Sequence, residues 1–125
     1  LQNVMLPMEF VEYPAGFTKK RAQELLGMFG LGGRSHHKPT ELSGGQQQRV
    51  AIARSLSNDP EIILADEPTG NLDSKSGEEV MTFLGKLNRD EGKTVILITH
   101  DLHLIKYATR VITLKDGAME KDTKR

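Results

Sequence analysis

Cysteine is absent from the 125 residues, which excludes disulfides and thiolate chemistry and is compatible with a reducing compartment. Net charge is absent too. Seventeen Lys and Arg balance seventeen Asp and Glu, so no charge excess points to nucleic acid or an anionic membrane as the main partner. Long apolar runs are missing: Ile62 to Ala65 and Val95 to Ile98 fall far short of the ~20 residues that span a bilayer. No basic segment precedes an apolar core at the N-terminus, so no signal peptide is expected. The chain opens on Leu1 inside an apolar segment, which reads as a cut, and closes on the polar run Lys121 to Arg125, which reads as a natural end. The most consequential absence is that of a Gly-rich loop ending in Lys-Ser/Thr. Gly27 to Gly32 followed by Gly33-Arg34 lacks the Lys-Ser/Thr, and Gly30-x-Gly32-x-x-Ser35 fails as a dinucleotide fingerprint.

What is present suits one domain with a sizeable core. Val4 to Phe10 is apolar but contains Pro7, and reads as an extended or broken segment. From Phe17 to Phe29 the apolar positions Ala22, Leu25, Leu26 and Phe29 follow helical spacing, and the helix is expected to end at Gly30, Gly32 and Gly33. A polar loop through His36, His37 and Pro39 leads to Ser43, a helix N-cap. The helix after it is expected to run to about Ser57, burying Val50, Ile52, Ala53 and Leu56. Ile62 to Ala65 is a continuous apolar run, as in a parallel strand covered on both faces. A helix with the stripe Val80, Phe83, Leu84 and Leu87 follows. Thr94 to Thr99 reads as a second buried strand, Leu102 to Tyr107 as a short helix, and Val111 to Leu114 as a third strand before an Asp116-Gly117 hairpin turn. Strands alternating with helices favour a parallel α/β sheet.

Two stretches carry chemistry. At Ser43-Gly44-Gly45-Gln46 the first amides of a helix point outward unpaired, and the helix dipole there favours an anion. The glycines let a phosphate approach the backbone closely, Ser43 can donate its hydroxyl, and Gln46 offers an amide. The same residues also suit an ordinary capped helix start. Asp66 and Glu67 follow the strand Ile62 to Ala65, and His100 follows Thr94 to Thr99, so two strands deliver polar groups to one sheet edge, where ligands sit in parallel sheets. The plainer alternative for Asp66-Glu67 is a solvated acidic turn. Asp101 reads as an N-cap for Leu102 to Tyr107 rather than as a metal ligand with His100 and His103, and His36-His37 read as solvated.

The whole stretch Leu42-Ser43-Gly44-Gly45-Gln46-Gln47-Gln48-Arg49-Val50-Ala51-Ile52-Ala53-Arg54 resembles the signature motif and helix of the ABC-type ATPases, and Ile62 to Glu67 resembles their Walker B motif. The resemblance implies a P-loop NTPase-like α/β fold. It would hold a partial parallel sheet and an α-helical subdomain, without the Walker A portion. Residues 1–57 would form the helical subdomain with the signature helix, and residues 58–125 the C-terminal part of the catalytic lobe. It further implies ATP and Mg²⁺ as cofactors, with Ser43, Gly44, Gly45 and Gln46 contacting the ATP of a second domain. Asp66 would hold Mg²⁺ through water, Glu67 would polarise the attacking water, and His100 would contact the γ-phosphate. Asn71-Leu72-Asp73 resembles the family's D-loop, where Asp73 would work across a dimer interface; capping the next helix is an equal role for it.

Implied partners are a second ATP-binding domain and transmembrane permease subunits, with no nucleic acid. The implied location is cytoplasmic, peripheral on the inner face of the plasma membrane. The wording Gly70-Asn71-Leu72-Asp73, with Asn3 to Met8, looks most like the branch serving lipoprotein release and macrolide-type efflux. Two alternatives stand beside this reading: the C-terminal lobe of a non-transport ABC ATPase of DNA repair or chromosome maintenance, and a truncated binding module without turnover. Residues 1–41 show neither the sustained heptads nor the basic stripe that the first would call for.

Overall fold

The computed structural model describes residues 1–125. Helix α1 (Gln2–Met5) gives way to a 3-10 turn over Leu6–Phe10, so this segment is broken at Pro7 as expected, though helical rather than extended on both sides. Pro7 sits in the first turn of the 3-10 stretch, where the missing N–H has no partner to lose. Four residues apart, Val4 and Met8 are both fully buried.

Helix α2 (Phe17–Met28) buries Ala22, Leu25 and Leu26, and Gly30 follows it with φ 69°. Helix α3 (Gly44–Ser55) begins at Ser43 and stops two residues before the expected Ser57. The Ser57 hydroxyl lies 2.6 Å from the Val4 carbonyl oxygen, which ties the end of this helix to α1.

Strand β1 (Ile62–Asp66) pairs in parallel with β2 (Thr94–Ile98), with Ile62 opposite Thr94 and Asp66 opposite Ile98. The helix α4 (Ser74–Glu91) makes the crossover between them and buries Val80, Met81, Leu84 and Leu87. It ends at Gly92, whose φ of 68° suits a residue without Cβ, and Lys93 N–H then donates back to the Leu87 carbonyl.

One hydrophobic cluster runs from Val4 through Phe29, Ile52 and Ile63 to Leu104. The parallel pair is covered on one face only, contrary to the expectation from its continuous apolar runs. Ile63, Ala65, Val95 and Leu97 pack toward the cluster. Ile62, Leu64, Ile96 and Ile98 are exposed on the opposite face, because no element of the chain lies there.

Strand β3 (Arg110–Lys115) does not extend that sheet. It forms a separate antiparallel hairpin with β4 (Ala118–Lys124). The turn between them is Asp116-Gly117, with φ values of 50° and 77°, as a tight hairpin turn requires. Arg110 clasps the Asp122 carboxylate through two donors, at 3.0 and 2.6 Å. No helix is long and apolar enough to cross a membrane.

Candidate functional site

The N-terminus of α3 is closed by a reciprocal cap. Gln46 N–H donates to Ser43 Oγ at 3.3 Å, and Ser43 N–H donates to Gln46 Oε1 at 3.0 Å. Because Ser43 Oγ accepts in this contact, its own hydrogen remains free to donate outward; likewise the Gln46 side-chain NH₂ remains free. Ser43 and Gly44 are exposed, whereas Gly45 is buried. The cap thus leaves donors facing solvent at the positive end of a helix, an arrangement that accepts an anionic oxygen.

Strands β1 and β2, in parallel register, end side by side and bring Glu67 and His100 together. Glu67 N–H donates to the Ile98 carbonyl at 2.9 Å, which carries the ladder one residue past β1. The Glu67 backbone then turns to φ 42°, an uncommon value for a residue with a Cβ. Its carboxylate accepts from the Thr99 hydroxyl at 3.1 Å and from His100 N–H at 3.0 Å. His100 Nδ1 lies 2.5 Å from Glu67 Oε1, so the proton sits on Nδ1 and Nε2 faces outward. Thr99 also accepts from Asp101 N–H at 3.0 Å, bracing the loop that carries His100. The readings above single out Glu67 and His100 but not Thr99; its only signal in the sequence is a hydroxyl at the strand exit next to His100.

The contact shifts both groups. Hydrogen bonding to His100 holds the Glu67 carboxyl below its usual range, and hydrogen bonding to Glu67, then its charge, raises the His100 imidazole. For Glu67, the depressed value means stabilisation that is present above the ordinary carboxylate pKa and lost as pH falls through the folded one. For His100, the raised value means stabilisation that is present below the ordinary imidazole pKa and lost as pH rises through the folded one. The pair is therefore strongest at mildly acidic pH. In an NMR titration His100 is expected to titrate above the ordinary imidazole range and to fall back toward it in Glu67→Gln, where the smaller effect of the Asp101 charge remains. Equal midpoints in the two proteins would mean that the pair does not form in solution.

Asp66 is exposed at the end of β1, and its side chain makes no hydrogen bond or ion pair within the chain, so its oxygens are free for a cation or water. Asp73 takes the capping role: its carboxylate accepts from Ser76 N–H at 3.1 Å, and hydrogen bonding to the Ser76 side chain, then to its N–H, lowers the Asp73 pKa. It remains exposed. Asp101 caps the 3-10 turn Leu102–Tyr107 by accepting from His103 N–H at 2.9 Å. Arg49 pairs with Glu79 at 3.2 Å, and Arg54 donates to the Asn3 side chain. No hydrogen bond joins the Ser43–Gln46 turn to Asp66, Glu67 or His100; the two groups of candidate residues are separate within one chain.

The family model described as ABC transporter matches residues 3–70. The chain belongs to the ABC transporter ATP-binding family. An uncharacterized ABC transporter ATP-binding protein of Thermotoga maritima is 54% identical over 120 residues, covering 96% of this chain and 51% of that protein. A macrolide export ATP-binding/permease protein, MacB of Wolinella succinogenes, is 58% identical over 116 residues, which is 93% of this chain and 18% of that protein. Among solved structures, the ATP-binding cassette MJ0796 in a dimeric post-hydrolysis state bound to ADP and Pi superposes with a TM-score of 0.83 at 52% identity. That match covers 98% of this chain and 55% of the cassette. The chain thus spans about half the length of the cassette proteins it matches, and its α/β fold is that of an ABC ATPase cassette.

Proposed function

We propose that this chain is the signature-bearing half of the ATP-hydrolysing subunit of an ABC transporter, one that powers export across, or release from, a membrane. Residues 1–57 act as the helical subdomain and residues 58–125 as the C-terminal part of the catalytic lobe. The single observation that carries the reading is the Glu67–His100 contact at the paired exits of β1 and β2, at 2.5 Å. It sets a carboxylate that can take a proton from water beside an imidazole whose Nε2 is free to meet a phosphate oxygen. The relationship to MacB supports the export branch, and the dimeric ADP-bound relative supports a two-domain sandwich.

The residues present fit the implied cofactors at two places. Ser43, Gly44 and Gln46 offer outward donors to the ATP of a second ATP-binding domain, and Asp66 offers unpaired carboxylate oxygens to Mg²⁺ through water. When bound, Mg²⁺ supplies charge neutralisation at the phosphates. Glu67 orients and deprotonates the water, Thr99 and the His100 amide hold the Glu67 carboxylate in place, and His100 senses the phosphate. Transmembrane permease subunits are the proposed mechanical partners, with the protein lying peripherally on the cytoplasmic face of the plasma membrane.

Phosphate release from ATP and Mg²⁺ tests the reading. The full-length polypeptide that carries this sequence is expected to turn over, and the 125-residue chain by itself to show no hydrolysis above buffer. Robust hydrolysis by the isolated chain would contradict the half-site; none in the full-length polypeptide would contradict the ATPase reading.

A further inference from the structure

The two glycines of the signature turn face different things. A Cβ built on Gly44 would meet Leu72 Cδ2 at 3.6 Å and the Asn71 carbonyl oxygen at 4.0 Å, ordinary contact distances. A Cβ built on Gly45 would lie 2.8 Å from Ser76 Oγ and 2.9 Å from Ser76 Cβ, closer than real Cβ atoms come. The backbone does not require glycine here, since the φ of Gly45 is not positive. Nor can Ser76 swing its Cβ aside. It is fixed in the first turn of α4, and its N–H donates to the Asp73 cap. One turn further along, Arg49 of α3 and Glu79 of α4 form a 3.2 Å ion pair, a second tie between the same two helices.

We propose that Gly45 is a packing glycine and Ser76 a positioning residue. Their contact fixes the start of α3, which carries Ser43, against the start of α4, which carries Asp73, so the two groups move as one unit. The inference rests on the proposed reading of Ser43 and Asp73 as groups that act on a second domain's nucleotide. It accounts for the missing side chain at position 45 and leaves the Gly45 N–H, which has no backbone partner, among the donors at the start of α3. A side chain at position 45 pushes the two helix starts apart and misplaces both groups together.

The test is a rescue cycle in the full-length polypeptide, reading ATP turnover and the chemical denaturation midpoint for G45A, S76G, G45A/S76G and G45A/S76A. G45A is expected to lower the midpoint, as overpacking at a closed contact does, and to slow turnover about tenfold or more, since displacing positioned groups by about 1 Å costs up to about 10²-fold. Adding S76G leaves only the Ser76 Cα, 3.9 Å from the new methyl, and restores both readouts. Adding S76A leaves the Cβ at 2.9 Å and restores neither. If G45A does not fold, active G45A/S76G is the supporting result, and failure of that double variant where S76G alone folds overturns the proposal. A G45A/S76G protein with a recovered midpoint but G45A-like turnover would mean that the added methyl acts on the ligand rather than on Ser76 and would overturn the proposal, as would a G45A protein unchanged in both readouts. If the wild-type polypeptide shows no turnover, the ATPase reading falls. The midpoint cycle then decides the contact alone: rescue by S76G but not S76A supports it, and any other pattern overturns it.

Discussion

Replacing Glu67 with Gln in the full-length polypeptide is expected to slow ATP hydrolysis by about 10²–10⁴-fold while leaving the fold intact, because that is the usual worth of a positioned general base. Glutamine keeps the shape of the side chain and an oxygen that accepts from His100 N–H, now 3.0 Å from the carboxylate. What it removes is the basic oxygen and the negative charge that holds the imidazole. Nucleotide-driven dimerisation is expected to persist, since the outward donors of Ser43 and Gln46 lie in a different part of the chain. Phosphate release measured at saturating ATP, beside sedimentation with and without ATP, separates the two effects. Unchanged turnover would remove Glu67 from the role of base. The backbone turn at Glu67, φ 42°, is part of the prediction: Gln retains that cost, so a loss of rate cannot be assigned to a relaxed loop.

The local features of this chain were legible from residue order, because each depends on near neighbours. The Ser43 cap, the buried stripe of α2, the Asp101 cap and the Asp116-Gly117 hairpin turn all follow from spacing and from residue-specific backbone preferences. The meeting of Glu67 with His100 follows one level up, since parallel strands of similar length end at the same edge. What residue order hid lies in contacts between distant segments and in what covers a surface. Pro7 suggested an extended or broken segment, and α1 does give way to a 3-10 turn there, but residue order did not show that both pieces stay helical and bury Val4 and Met8 four residues apart. Ile62, Leu64, Ile96 and Ile98 read as covered because apolar runs are usually covered on both faces, and periodicity carries no information on whether the second layer is in the same 125 residues. Lys93 is nearly buried, with Nζ 2.6 Å from Asp59 and 2.9 Å from the Pro60 carbonyl, joining the start of β2 to the turn before β1. Nothing in a lone lysine after Gly92 announces a partner 34 positions away. The Gly45–Ser76 contact is hidden for the same reason.

The substitution with the largest expected cost to folding is Phe29→Ala. Phe29 is 1% exposed and packs its ring against Phe83, with centroids 4.8 Å apart and planes inclined by 50°. Its carbonyl also accepts from Arg49 Nη1 at 3.4 Å, so one residue joins the end of α2 to α3 and α4. Truncating a buried Phe costs about 3–5 kcal/mol, from lost transfer energy and the cavity left behind. The lost aromatic pair belongs to that figure and is not added to it. Domains of this size are stable by roughly 5–15 kcal/mol, so the loss is a large part of the total, and the chain can afford little of it while one sheet face stays open to water. Far-UV circular dichroism in urea is the suitable measurement, because the sequence has no Trp to report by fluorescence. Phe10, 85% exposed, is the matched control: Phe10→Ala is expected to fall within about 0.5 kcal/mol of wild type. Equal midpoints for the two variants would mean that Phe29 is not in the core. A large loss at Phe29 alone would locate the stability of the chain where α2, α3 and α4 meet, the assembly that also sets the signature turn against the Asp73 loop.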